Sequence, residues 1–167
     1  MSDQLWVVRA GEQARYVDDF RDGAFIAVGF EDFFADDLNG VSEPELRAQV
    51  SSPAQRTFAS QLSAFAYYLD IGDHVIVPLL PKRRSYLVGQ VSSPYRHVTP
   101  PPNSGPHRRS VNWLGEFPRD SLSPAAANTL GGQLTIFRPT AVEAELRGLI
   151  TGLSPIDLQV ANGSGIG

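Results

Sequence analysis

The segment HRRSVNWLGEFPR, residues 107–119, combines positive side chains with one tryptophan and alternating apolar residues. Guanidinium groups bind anions, and an aromatic ring offers a flat apolar surface for stacking. The wider segment 82–119 holds seven of the fourteen lysines and arginines against one acid, in a chain of formal net charge −4. Such asymmetry is typical of a face that binds a polyanion. The alternative is that these bases pair with residues 1–73, which carry thirteen acids against five bases.

Most catalytic and metal-binding motifs are missing from the sequence. It has no cysteine, its histidines (His74, His97 and His107) lack metal-motif spacing, and no G-x-S-x-G segment occurs. Lys82 is the single lysine and has no acid two residues before it, so the carboxylate-x-lysine pair of a common metal-dependent nuclease core cannot form in its standard arrangement. The terminal GSGIG has no helix after it, unlike a dinucleotide-binding loop. We therefore expect a binding domain with no catalytic residue, no metal and no cofactor.

Hydrophobic patterning predicts an α+β domain with a strongly curved sheet over residues 1–150. Short β-branched and aromatic runs bounded by glycine or proline predict strands, in the segments LWVVRAG, AFIAVGF, GDHVIVPLL, RSYLVGQV, SVNWLGEF and GQLTIFRP. Gly29, inside the second of them, indicates a close approach of another backbone or a ligand. Pro78 indicates a sheet edge or a bulge.

Helix signals occupy the remaining segments. ARYVDDFRDG predicts a helical turn that ends at Gly23, and Ser42 with Glu45 forms a capping box at the start of another helix. An apolar stripe marks the clearest helix, at Phe58, Leu62, Phe65 and Leu69. Thr140 is the expected cap of a last helix.

The two ends of the chain and its composition indicate whether it is part of a longer protein and where in the cell it is found. Residues 151–167 are expected to be a C-terminal extension or linker, which favours an excised domain over a whole protein. There is no apolar run long enough to cross a membrane, and the first residues do not resemble a secretory signal. Together with the absence of cysteine, this predicts a cytoplasmic protein with no membrane partner.

Several ordered motifs between Leu5 and Phe137 resemble the N-terminal domain of Mrr-type restriction endonucleases. They are WVVRAG, AFIAVGF, GDHVIVP, YLVGQV, PYRH, HRRSVNWLGEFPRDSLS and TLGGQLTIF. The pattern departs from those domains at Phe30, where tryptophan is common. The helix followed by Gly72–Asp73, with Gln61 eleven residues before that glycine, is similar to the EVE branch of the PUA-like domains, which also include the YTH domains. The resemblance implies a PUA-like curved β-barrel of about six strands flanked by helices.

The resemblance also implies a function. PUA-like relatives hold a flipped, modified base in a pocket, so the expected partner is DNA that carries a modified cytosine or adenine. The expected role is that of the specificity domain of a modification-dependent restriction system, with a C-terminal nuclease domain in the full-length protein. Two alternatives stay open: binding of RNA or single strands by the same fold, and a nucleotide-sensing or protein-interaction module that recruits a nuclease.

Candidate residues follow from these patterns. Flat and hydrogen-bonding side chains are expected to form the base pocket: Arg9, Phe30, Gln61, Tyr95 and Trp113. Positive side chains of the basic segment are expected to bind phosphates: Arg83, Arg84, Arg96, His107, Arg108 and Arg109. For Arg9 the alternative is an ion pair with a nearby acid, for Gln61 a helix surface, and for Trp113 the core. Trp6 is expected in the core, and Phe33 and Phe34 are expected to fold back over it as a lid.

Overall fold

The computed structural model of the chain describes residues 2–30, 35–99 and 102–153. Its strands are β1 (Leu5–Val8), β2 (Phe25–Val28), β3 (His74–Pro78), β4 (Ser85–Val91), β5 (Arg96–His97), β6 (His107–Pro118) and β7 (Ile136–Phe137). Its helices are α1 (Val17–Gly23), α2 (Glu43–Arg47), α3 (Pro53–Ser63), α4 (Pro124–Leu130) and α5 (Glu143–Thr151), and a π-helical turn (Ala64–Tyr68) extends α3. The predicted α+β class is confirmed. Phe33, Phe34 and residues 154–167 lie outside the described residues, so the lid and linker predictions are not addressed.

The sheet curls into a mixed half-barrel with the strand order β2-β6-β4-β3-β1-β7, and the short β5 adds to β6. β1 and β3 run parallel, and the other neighbours pair antiparallel. Twelve-residue β6 joins the two parts of the sheet, because its first residues pair with β2 and its remainder pairs with β4. The sheet does not close, so β2 forms one edge and β7, beside the end of β1, forms the other.

Two apolar clusters hold the helices to the sheet. One lies under α1 and α3 and includes Phe20, Leu62 and Phe65, while the other lies under α4 and α5 and includes Leu130 and Leu146. All five side chains are almost completely buried. Within the described residues, no helix is long and apolar enough to span a bilayer.

Local sequence signals predicted several of these elements well. The Ser42 capping box forms, with Ser42 Oγ accepting from Glu45 N at 3.2 Å. Three residues of the predicted stripe, Leu62, Phe65 and Leu69, are buried. Trp6 lies in the core as expected, and its indole N–H donates to the buried Asp73 carboxylate at 3.1 Å. The helical turn and its end near Gly23 are also confirmed.

Two local predictions were wrong. Pro78 does not mark an edge or a bulge: it is the last residue of β3, a strand inside the sheet, where a missing N–H disturbs only the end of the ladder. The register shift lies instead between β4 and β6, where Val88 pairs with Gly115 but Gly89 pairs with Trp113, so Leu114 of β6 is the extra residue. Thr140 does not cap α5, since it begins a 3-10 turn and the helix starts at Glu143 without a side-chain cap.

Candidate functional site

A cavity of about 220 Å³ lies between the two open edges of the half-barrel. One wall is the end of β2, and the opposite wall is formed where β1 and β7 meet, because Arg9 N donates to Thr135 O at 2.8 Å there. We call it the edge cavity, lined by Arg9, Gly11, Arg15, Tyr16, Ala27, Val28, Gly29, Asn103, Ser104 and Thr135. β2 is an edge strand, and strand edges expose unpaired backbone N–H and C=O groups, so the β2 wall offers hydrogen-bonding groups to a ligand.

A close contact between two glycines closes one side of the edge cavity. A Cβ on Gly29 would lie 3.0 Å from the Cα of Gly105, and a Cβ on Gly105 would collide with the Val28 carbonyl. Gly105 also has φ +109°, which L side chains rarely adopt. The loop that contains Asn103 and Ser104 is thereby held against the end of β2. The predicted close approach at Gly29 is confirmed, and the partner is backbone.

The turn after β1 is backbone-strained and borders the edge cavity. Gln13 and Ala14 have φ values of 55° and 56°, in the left-handed region that non-glycine residues seldom occupy. Gly11 has φ 78°, and a Cβ there would lie 2.6 Å from a ring atom of Tyr16. Strain of this kind persists only where surrounding structure imposes it, and it is concentrated at binding and catalytic sites.

Two arginines bring positive charge to the edge cavity without an acidic partner. Arg9 Nη1 donates to the Gln133 carbonyl at 2.7 Å, and the Arg15 guanidinium lies over the Tyr16 ring, 4.9 Å from its centroid. Neither forms an ion pair among the described residues, so the ion-pair alternative for Arg9 does not hold there. Both guanidinium groups keep N–H donors for a ligand.

The basic segment separates into paired and unpaired residues. Arg83 pairs with Glu116 and Arg84 with Asp120, each at 3.0 Å, so both predicted phosphate ligands already have an acidic partner. Arg96 and Arg108 form no ion pair among the described residues. They stand opposite each other on β5 and β6. Two like charges in that position destabilise a sheet unless an anion or solvent compensates them.

Arg108 is partly enclosed beside the edge cavity. Its guanidinium carbon lies 3.9 Å from the centroid of Phe25, and its Nη2 donates to Ser104 Oγ at 3.3 Å. Its Nε is buried and has no hydrogen-bond partner in the described part of the chain. Burial and, after it, the neighbouring charge of Arg96 lower the pKa of Arg108, and the charge of Asp19 opposes this lowering in part. An anion at this pair would relieve that repulsion.

Arg109 and His107 are buried, in contrast to the surface position expected of phosphate ligands. Arg109 donates from Nη1 to the carbonyls of Phe65 and Leu69, at 3.0 and 2.6 Å, and from Nε to that of Ser93. Burial lowers its pKa. These bonds tie β6 to the π-helical turn, so the role of Arg109 is structural.

His107 belongs to a buried aromatic cluster. Its Nδ1 lies 2.6 Å from the hydroxyl of Tyr95, and its ring meets that of His97 edge-on at 5.6 Å. Burial raises the pKa of Tyr95 to about 12, against the lowering effect of the N–H that Leu38 donates to its hydroxyl. Tyr95 therefore stays neutral and supports the loop above it, and it does not line the edge cavity.

The structure does not bring the other predicted pocket residues to Arg9. Phe30 is buried and stacks on Phe58 with centroids 5.7 Å apart, while Trp113 packs over Gly89 and donates its indole N–H to the Phe20 carbonyl at 3.0 Å. Gln61 is buried rather than on a helix surface, because its Oε1 accepts from the backbone of residues 135–136. Gln61 therefore positions one wall of the edge cavity without lining it.

Sequence reasoning missed most of the residues that line the edge cavity, among them Arg15, Tyr16, Asn103 and Ser104. The proline-rich loop was assigned only a connecting role, although its Asn and Gly were visible. One available signal would have separated Arg108 from Arg109. Neighbouring side chains of a strand point to opposite faces, and Val111 marks the buried face together with Arg109.

A domain of unknown function, DUF8426, has a family model that matches residues 6–138. The chain belongs to this family. The DUF8426 match includes β1 from Trp6 onwards, the strands β2 to β7 and every residue of the edge cavity, whereas α5 lies beyond it. No curated protein and no solved structure matches the chain.

Proposed function

We propose that this chain is a DNA-binding domain of PUA-like type that reads one extruded, modified base in the edge cavity. In this proposal it serves as the specificity domain of a modification-dependent restriction system. The observation that carries the proposal is the position of the cavity, between two sheet edges and beside arginines that form no ion pair within the described part of the chain. The curled half-barrel flanked by helices is compatible with a PUA-like barrel.

The size and chemistry of the edge cavity suit a single heterocycle. Its 220 Å³ falls below the roughly 300–1,000 Å³ of pockets for drug-sized ligands. Backbone groups of residues 27–29 and the amide of Asn103 supply donors and acceptors for a base edge. Tyr16 supplies an aromatic ring, and stacking on a ring contributes about 1–3 kcal/mol per base. This offsets the few kcal/mol that extrusion from the duplex costs.

Phosphate binding in this proposal is assigned to Arg96 and Arg108, with Arg15 on the rim of the cavity. Arg108 reaches the cavity wall through Ser104, so a phosphate on this pair lies close to an extruded nucleotide. Neutralising phosphates with guanidinium groups releases counterions, so the affinity should fall steeply with salt. The ion-paired Arg83 and Arg84 are left out of this contact.

Fluorescence titration of labelled duplexes tests the proposal. Duplexes that carry 5-methylcytosine or N6-methyladenine are compared with plain duplexes and with RNA of the same length. One modified duplex should bind best, and Asn103→Ala should lower its preference over plain duplex by about tenfold, since a base-edge contact contributes roughly 1–3 kcal/mol.

Arg56→Ala is the matched control, because Arg56 is exposed and has no ion pair among the described residues, yet lies outside the edge cavity. It should leave the preference unchanged. Equal binding of modified and plain duplexes by the wild-type chain would refute base reading. Stronger binding of RNA than of every duplex would transfer the function to RNA.

A further inference from the structure

A second cavity of about 400 Å³ lies on the other side of Arg9. We call it the outer cavity. Its lining includes the apolar side chains of Pro78, Leu80 and Tyr86, with Gln13 and Arg119 at its rim. Arg9 lines both cavities, so this residue forms the partition between them. A ligand in the edge cavity that continued past Arg9 would enter the outer cavity.

The outer cavity combines apolar surface with two cations that lack acidic partners. Tyr86 is buried and stacks on Phe117, with ring centroids 5.3 Å apart, which gives the floor a rigid support. Arg119 lies beside the Tyr86 hydroxyl and, like Arg9, forms no ion pair among the described residues. A flat heterocycle suits such a floor, and an attached phosphate suits the guanidinium groups beside it.

The strained turn after β1 belongs to the same partition. Gly11 faces the edge cavity and Gln13 faces the outer cavity, with Gln13 in a left-handed conformation at φ 55°. The exposed amide of Gln13 is therefore held at the outer cavity at a cost in backbone strain. Glycine would adopt this conformation with less strain. The chain nevertheless has glutamine at this position, which places a hydrogen-bonding side chain there.

We propose that the outer cavity is a second subsite that binds the nucleotide adjoining the extruded base on the same strand. The phosphate that joins the two nucleotides then lies at Arg9. This inference rests on the proposed function, since it requires a nucleotide in the edge cavity. It assigns a ligand of two consecutive unpaired nucleotides, the second held through its flat face and its phosphate.

Binding of short single strands to the full chain tests the subsite. The probes are the deoxynucleoside monophosphate of 5-methylcytosine or N6-methyladenine, and dinucleotides that add a neighbour on its 5′ or its 3′ side. One of the two dinucleotides should bind about tenfold more tightly than the mononucleotide, the gain expected of one stacked base. Arg119→Ala should reduce this gain, because the guanidinium no longer holds the added nucleotide beside the floor, and should leave mononucleotide affinity unchanged.

Gln13→Gly provides a variant that does not depend on the folding of Arg119→Ala. Because glycine relieves the strain at φ 55°, the variant should be at least as stable as the wild-type chain and should still lose part of the gain. Arg56→Ala is again the control and should keep it in full. A gain that survives both Arg119→Ala and Gln13→Gly overturns the subsite.

Failure of the subsite differs from failure of the proposed function. Mononucleotide and dinucleotides that bind equally refute the second subsite and leave base reading intact. If neither they nor the modified duplexes bind better than their plain counterparts, the proposed function fails and the subsite fails with it.

Discussion

Arginines around the edge cavity and arginines beside α5 meet opposite surroundings. Near α5, Glu143 accepts from Arg138 and Arg147, each at 2.9 Å, and Arg147 also reaches Asp3 at 3.3 Å. Near the edge cavity, Arg9 and Arg15 form no ion pair among the described residues. Paired charges hold two segments of one chain together. In the proposed function, unpaired charges bind a partner outside the chain, so we interpret the first face as the binding face and the second as a structural face.

The largest expected effect is at Arg109, which differs from both groups of arginines. Among the described residues, the hydrogen bonds of its guanidinium all go to backbone carbonyls. Arg109→Met should lower the free energy of unfolding by about 3–5 kcal/mol, since each buried carbonyl left without a partner costs roughly 1–3 kcal/mol. Urea denaturation measures it. Arg56→Met, an exposed control, should change stability by less than about 0.5 kcal/mol. A similar small change at Arg109 would show that its buried bonds are not needed.

Gly105→Ala has the next largest expected effect and disturbs the wall of the edge cavity. We expect a loss of about 2–3 kcal/mol, because a methyl group adds a collision with the Val28 carbonyl to the strain of φ +109°. Gly40→Ala is the matched control: it has φ +80° but nothing within 4 Å, so only the conformational cost of about 1 kcal/mol applies. Equal losses at both positions in denaturation experiments would show that the loop does not press on β2.

The features that the sequence predicted well involve residues close together in the chain. The features that it missed depend on contacts between residues far apart in the chain. The capping box at Ser42 and Glu45 involves residues three positions apart, so the sequence alone indicates it. The partner of Arg83 is Glu116, thirty-three residues later, and a count of charges along the segment cannot show that this pair forms. The basic segment therefore read as one surface although it divides into paired, unpaired and buried arginines.

The candidate site was predictable only in part for the same reason. Arg9 was identified because it follows a buried strand. The opposite wall is the end of β2, and the two walls meet only because β7 returns to pair with β1. The expected aromatic wall did not assemble around Arg9, because Phe30 belongs to the core and stacks on Phe58, while Trp113 packs against the same core. The residue types show that both side chains are aromatic, but they do not show on which face of the sheet each ring lies.

The salt dependence of duplex binding should show a smaller effect that also distinguishes the two groups of arginines. Arg96→Gln should reduce the slope of log affinity against log salt by about 0.9, the value for one lost phosphate contact. Arg138→Gln, a paired arginine beside α5, should leave the slope unchanged. Titrations of the modified duplex at several salt concentrations measure both. Equal slopes for Arg96→Gln and the wild-type chain would remove Arg96 from the phosphate contact.

The smallest effect belongs to the structural face and depends on pH. Hydrogen bonding from Arg147, opposed by partial burial, holds the pKa of Glu143 below its ordinary value of 4.5. The folded chain therefore binds this proton less readily than the unfolded chain, so the carboxylate stabilises the fold above that value and loses its effect as pH falls through the lower folded pKa. Glu143→Gln should cost less than about 1 kcal/mol at pH 7, because solvent screens these pairs.

That cost should shrink towards zero in acid, as the pH falls below the lowered folded-state pKa of Glu143. Denaturation of both proteins across the acid range measures the difference, and duplex binding at neutral pH should not change. The sign of the pH dependence is decisive, since only a carboxylate that is ionised in the folded state loses its advantage on acidification. A difference that grows as the pH falls would mean that Glu143 is not held by the arginines, and the contrast between the two faces would rest on the edge cavity alone.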